Sequence, residues 1–115
     1  MRRGEIRMVD LDPARGAEAS KYRPAVIVSN DGANTTAERL GRGVITVVPV
    51  TSNTANIYPF QVLLTADSTG LRRDSKAQAE QVRSVDVDRI GALVGTLDGE
   101  LRGDLDEALR LHLAL

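Results

Sequence analysis

Val44-Ile45-Thr46-Val47-Val48-Pro49-Val50 decides the fold of this chain. The run is β-branched and almost wholly apolar, which suits a strand buried in a sheet rather than a helix. Pro49 interrupts its row of backbone donors and predicts an edge position, a bulge or the strand end. Thr51-Ser52-Asn53-Thr54 then reads as a polar loop. Upstream, Ala25 to Val28 is a second short apolar run, entered through Lys21-Tyr22-Arg23-Pro24. Proline has a fixed φ and no N–H, so Pro24 suits the first position of that strand, and Asp31-Gly32 is expected to end it.

Working outward, Glu5 to Leu11 alternates approximately and predicts a strand with one buried face. Asp12 to Tyr22 is polar, holds Pro13 and Gly16, and reads as a functional loop. Asn34 to Leu40 reads as a short helix or an irregular excursion. Phe60 to Leu64 predicts a strand, Asp67 to Arg73 a turn-rich connection with Gly70, and Gln81 to Val85 a strand. Asp86 to Arg89 reads as a turn and Ile90 to Leu97 as a last strand. At the C-terminus Asp98 can cap a helix in which Leu101, Leu105, Ala108, Leu109 and His112 recur at helical spacing, with His112 at the core edge. Short strands followed by one helix give an α+β fold, a β-barrel with a packed helix.

The 115 residues fit one domain, spanning 1–115. No apolar run approaches the ~20 residues of a membrane span. The N-terminus has no apolar stretch behind its basic residues, so no secretory signal is expected and the cytoplasm is the default location. Residues 1–60 carry eight Lys or Arg against six Asp or Glu, whereas residues 61–115 carry seven against ten. Any nucleic-acid site must therefore be a local patch rather than a basic face. Thirteen of the fifteen basic residues are Arg, the side chain suited to bidentate phosphate recognition, although high genomic GC content enriches Arg as well.

With no cysteine and one histidine, thiolate metal sites and a two-histidine acid–base mechanism are excluded, and no phosphate-loop or dinucleotide fingerprint is present. Arg, Thr/Ser, Glu and Gln chemistry remains. Such a set can hold a phosphodiester and stabilise extra negative charge while a 2′-hydroxyl attacks the adjacent phosphorus. The nucleophile then belongs to RNA, and no cofactor or metal is needed. On the residues alone, Arg23 is either an anion site held at a rigid corner or a strand-entry cation in a salt bridge. Thr51-Ser52-Asn53 is either part of that site or only a polar turn. Glu80 and Arg83 read equally as a cross-strand ion pair.

The ordered set Arg3-Gly4-Glu5-Ile6, Val9-Asp10-Leu11-Asp12-Pro13, Arg23-Pro24-Ala25-Val26-Ile27-Val28-Ser29-Asn30, Val48-Pro49-Val50-Thr51-Ser52, Asp74-Ser75, Glu80-Gln81-Val82-Arg83-Ser84-Val85-Asp86 and Leu105-Asp106-Glu107-Ala108-Leu109 resembles the MazF/PemK-type toxins of type II toxin–antitoxin systems. The resemblance covers nearly the whole chain. It implies a small SH3-like antiparallel β-barrel (CcdB/PemK-like) with short helices, working as a homodimer. It implies metal-independent, sequence-specific cleavage of single-stranded RNA, leaving a 2′,3′-cyclic phosphate and a 5′-hydroxyl. It implies inhibition by a cognate antitoxin whose acidic disordered tail folds on the toxin. The family's catalytic residues fall on Arg23 and Thr51, and RNA-contacting positions on Glu18, Ser52, Glu80 and Gln81. Some members carry an Arg and an Asp where this chain has Gln78 and Glu80, which favours Arg23 with Thr51 here. Two other functions share this fold, a non-enzymatic gyrase-binding toxin and a degenerate antitoxin-binding module. RNA sequence preference is expected to lie in the Asp12–Tyr22 and Ser52–Pro59 loops.

Overall fold

The structure, a computed structural model, describes residues 1–11 and 22–115. Seven strands, β1 (Glu5–Asp10), β2 (Tyr22–Ile27), β3 (Val44–Thr51), β4 (Gln61–Leu64), β5 (Ser75–Gln78), β6 (Arg83–Asp86) and β7 (Ile90–Thr96), are joined with three helices. The helices are α1 (Asp31–Leu40), the single turn α2 (Ala66–Thr69) and α3 (Gly99–Leu113). Every strand pairing is antiparallel. The order is β4-β5-β3-β2-β1-β7, with β6 also on β3. Because β4 and β7 end this order unpaired with each other, the SH3-like barrel is open rather than closed.

The apolar run at 44–50 is the centre of the sheet and is covered on both faces. Val48 and Val50, with Val26 and Val28 of the β2 segment and Ile6 of β1, face one core, which α3 closes with Leu105 and Ala108. Ile45 and Val47, with Ala25, Ile27 and Val9, face a second core, which Ala37 of α1 covers. A strand buried on both sides has no polar face, hence the continuous apolar run.

Both prolines are accommodated by gaps in pairing. β3 pairs with β6 over Val44–Val47 and with β5 only at Val50 and Thr51. Pro49 falls between these two partners and faces Ala25 of β2 on its other side. It therefore lies within β3, at the point where one edge of the strand changes neighbours. Pro24 is the third residue of β2, not the first; it is opposite Met8 of β1, while β3 joins β2 only from Ala25 onward. It thus has a strand on one side only, where proline is tolerated.

Asp31 and Gly32 begin a helix instead of merely ending a strand. The Asn30 side-chain oxygen accepts from the Ala33 N–H at 2.8 Å, and Gly41 closes α1 with φ 67°. Such a cap is worth ~1 kcal/mol. Asn34 is fully buried inside α1, where its amide donates to the Ser29 carbonyl at 2.9 Å. α3 is capped as expected, with Asp98 Oδ1 accepting from Leu101 N–H at 2.8 Å. His112 is exposed rather than at the core edge, because Ala108 and Leu109 are the last helix residues packed against the core. Arg3 ties the N-terminus to α3 through Asp106 at 2.5 Å and also donates to the Val28 carbonyl. No helix of the described residues is long and apolar enough to cross a membrane.

Candidate functional site

The register of β2 on β3 places the key pair. The last β2–β3 pair is Ala25 with Pro49, so Arg23 and Thr51 each lie two residues beyond it on their own strand, and both line the same groove. On the far side of β3, Thr51 is paired with Lys76 of β5. Val9 of β1 is opposite Arg23. Arg23 is thus held in a strand, half-buried, rather than on a loop tip.

Arg23, Thr51 and Ser52 line one groove of about 510 Å³ at this end of the sheet. Its apolar floor includes Met8, Pro24, Val50 and Val94, and its opposite rim carries Arg72 and Arg73. Three guanidinium-bearing residues and no carboxylate are among the described residues that line it. A groove of this charge favours a polyanion.

The loop that follows Thr51 is ordered by local bonds. The Thr51 hydroxyl accepts from Asn53 N–H at 3.2 Å, and Asn53 Oδ1 accepts from Ala55 N–H at 3.2 Å. Lys76 is buried; its ammonium donates to the Asn56 carbonyl at 2.6 Å and lies 5.8 Å from the centroid of the Tyr58 ring. Tyr58 stacks on Phe60 with centroids 5.5 Å apart. Lys76 therefore pins the Ser52–Pro59 segment from beneath while standing across the ladder from Thr51.

The other expected contacts fall elsewhere. Glu80 and Gln81 belong to a 3-10 turn, Ala79–Gln81, and do not line the groove. Glu80 Oε2 accepts from Gln61 Nε2 at 2.6 Å, and Gln61 Oε1 accepts from Tyr58 N–H at 3.2 Å. Glu80 thus braces the base of the Ser52–Pro59 loop through Gln61, with Oε1 buried and unbonded among the described residues. Gln81 is exposed. The Glu80–Arg83 ion pair does not form; Arg83 Nη1 donates to the Leu11 carbonyl at 3.2 Å. Glu18 and most of the Asp12–Tyr22 loop lie outside the described residues.

Sequence reasoning missed Arg72, Arg73 and Lys76. An Arg-Arg pair in a turn-rich connection reads as solvated surface, and a lysine in a strand carries no motif. Only the topology brings the start of β5 to the same groove as the start of β2.

A family model described as PemK-like, MazF-like toxin of type II toxin–antitoxin systems matches residues 2–113. The chain belongs to that family. It is 65% identical over 115 residues to Endoribonuclease MazF9 of Mycobacterium tuberculosis, covering 100% of this chain and 98% of that protein. It is 32% identical over 119 residues to Endoribonuclease EndoA of Bacillus subtilis, covering 100% of this chain and 96% of the relative. The fold is shared with a solved endoribonuclease in complex with its cognate antitoxin from a mycobacterial species. The TM-score is 0.79 at 22% identity, over 100% of this chain and 96% of that one. Membership of the MazF-like family accounts for the open SH3-like sheet.

Proposed function

We propose that this chain is the toxin of a type II toxin–antitoxin pair, a cytoplasmic, homodimeric endoribonuclease that cuts single-stranded RNA without a metal. The observation that carries the reading is one groove that holds Arg23 and Thr51 together with Arg72 and Arg73 and no described carboxylate. Family membership and the names of its relatives, both endoribonucleases, support it.

The chemistry follows from the groups present. A ribose 2′-oxygen attacks the neighbouring phosphorus, the 2′-oxygen–phosphorus bond forms, and the bond to the 5′-oxygen breaks. The 2′-hydroxyl loses a proton and the departing 5′-oxygen gains one, which leaves a 2′,3′-cyclic phosphate and a 5′-hydroxyl. In the transition state the non-bridging oxygens carry extra charge. The Arg23 guanidinium, always protonated and forked, stabilises that charge, and the Thr51 hydroxyl donates to the same phosphate. Because Arg23 sits in β2, paired with Val9 of β1, its position is set before RNA arrives. Preorganisation of this kind is worth on the order of 10²–10³ in rate for each donor. Ser52, Gln81 and Glu80 are read as lesser RNA contacts, Glu80 by way of the loop it braces. A cognate antitoxin with an acidic disordered tail competes for the same cationic groove.

The test is incubation of the purified chain with a long unstructured RNA in excess chelator, followed by mapping of cleavage ends. Cuts at a short recurring sequence with cyclic phosphate ends are expected, with loss of cutting in Arg23→Ala. Intact RNA, or undiminished cutting by that variant, sinks the proposal. Stable capture of gyrase by a chain that leaves RNA intact would favour the binding-only alternative.

A further inference from the structure

We infer that Arg72 and Arg73 form a second phosphate subsite, which holds the RNA backbone beside the phosphate engaged by Arg23. The inference rests on the RNA reading above and adds a site to it. Both residues are exposed on the connection between α2 and β5, and both line the groove that contains Arg23 and Thr51. Among the described residues neither guanidinium has a hydrogen-bond or ion-pair partner, unlike Arg3, Arg7 and Arg83.

What distinguishes this pair from an ordinary solvated Arg-Arg run is the rigidity of its mounting. The segment is clamped at both ends. On the N-terminal side, the Thr69 hydroxyl donates to the Thr65 carbonyl at 2.7 Å and accepts from Leu71 N–H at 3.2 Å. Gly70 turns the chain with φ +85°, and a Cβ there would lie 2.8 Å from the Val94 carbonyl oxygen, so the turn is seated directly on β7. Leu71 is buried in the α3-side core. On the C-terminal side, Asp74 Oδ1 accepts from Ala66 N–H at 2.8 Å, closing the loop on itself. The Ser75 hydroxyl donates to the Arg73 carbonyl at 2.9 Å. Asp74, the nearest carboxylate in sequence, is engaged in this clamp and does not line the groove. The backbone at Arg72-Arg73 is thus fixed while both side chains are left to reach a ligand, and little order is lost on binding.

The chemistry selects a phosphodiester backbone. Two adjacent arginines in a groove lined by no described carboxylate or side-chain amide suit the bidentate geometry of phosphate oxygens. They therefore strengthen binding without sequence preference. Arg23 and Thr51 are the pair assigned to the reacting phosphate above, so Arg72 and Arg73, in the same groove, take a flanking one.

The experiment measures binding of a fluorescent, uncleavable 2′-O-methyl single-stranded oligoribonucleotide between about 0.05 and 0.2 M salt. For single strands the slope of log affinity against log salt is ~0.7 per phosphate contact. The double variant Arg72→Gln/Arg73→Gln should lower the wild-type slope by about 1.4 and weaken binding ~10-fold or more near 0.1 M salt. The same factor should be lost for oligonucleotides of unrelated sequence and should appear in KM for cleavage. Arg72→Lys/Arg73→Lys should keep the slope, since it keeps both charges. An unchanged slope in the Gln double variant overturns the inference. So does a changed cleavage sequence at constant slope, which would reassign the pair to base reading. Loss of affinity for an acidic peptide alone, with the RNA slope intact, overturns it too. The slope is read whether or not RNA is cut, so failure of the nuclease reading and failure of the subsite are separate results.

Discussion

Gly95 is the position at which one added methyl group should cost most. It lies in β7 against α2, and a Cβ built on it would sit 1.6 Å from the Thr69 carbonyl oxygen and 2.8 Å from the carbonyl carbon. Real Cβ contacts essentially never fall under 3.0 Å, so Gly95→Ala requires a movement of more than an ångström. Thr69 cannot give way by changing rotamer, because the clashing atoms are backbone. Retreat is blocked as well, since Gly70 is itself packed on the Val94 carbonyl. Overpacking typically costs ~1–3 kcal/mol, and a backbone-on-backbone clash belongs at the upper end, about 3 kcal/mol. For a domain near 100 residues each kcal/mol moves the melting temperature by ~4–8 °C, so a fall of roughly 12–24 °C is expected. Gly103→Ala is the matched control. It makes the same chemical change inside α3, where nothing lies within 4 Å of the added carbon. Glycine in a helix interior is worse than alanine by up to ~1 kcal/mol, so that variant should melt a few degrees higher. Thermal unfolding followed by circular dichroism at one protein concentration compares the three. A Gly95→Ala chain that melts within about 3 °C of wild type would refute the close approach of β7 and α2.

If Arg23 and Thr51 act on one phosphate, each alanine variant should lose on the order of 10²–10³ in cleavage rate, and the double variant little more than the worse single. Fully additive losses in single-turnover assays would separate their roles. Lys76→Met should leave the chain folded yet alter the spread of cleavage sites, because it frees the Asn56 carbonyl and the Tyr58 ring; an unaltered cleavage map would reduce Lys76 to a core residue. Asn34→Leu should destabilise by ~1–3 kcal/mol, since the Ser29 carbonyl loses its buried donor; denaturant unfolding at unchanged m-value measures this. Burial works to raise the Glu5 carboxyl, but the Arg7 guanidinium 2.9 Å away, a backbone hydrogen bond from Arg2 and the N-terminal charge together outweigh it and hold the group below its ordinary value. A lowered folded-state value gives stability that is complete above about pH 4.3 and is lost as pH falls through that lowered value. Acid unfolding should accordingly be shallower in Glu5→Gln, and superimposable acid limbs would contradict the pairing.

The central strands were legible because burial on both faces leaves a continuous apolar run, as at Val44–Val50, and α3 because its cap and apolar spacing agree. The start of α1 was not, since Thr35 and Thr36 are poor helix formers and its buried face holds only Asn34 and Ala37. The decisive signal was Asn30, a residue that reads equally as a turn. Pro24 and Pro49 misled about strand position for one reason: proline reports a missing donor, not which neighbour is absent there. In the site, Arg23 and Thr51 were legible in sequence as types of residue, and their juxtaposition followed only from the groove that the folded sheet forms. Arg72 and Arg73 carried no local mark at all; their meaning lies in a rigid turn assembled from Thr69, Gly70, Asp74 and Ser75.

The change of neighbours along β3 bears on how the molecule opens. Val47 is paired on both sides, with Ile27 of β2 and Arg83 of β6, and three strands, β2, β5 and β6, pair with this one. Its amides cannot be exposed to solvent by fraying of β4 or β7 at the ends of the sheet. They should exchange with deuterium only through global unfolding, and so report its full free energy. The groove sits at the last residue of the same strand. Thr51 is therefore anchored to the slowest-exchanging part of the molecule.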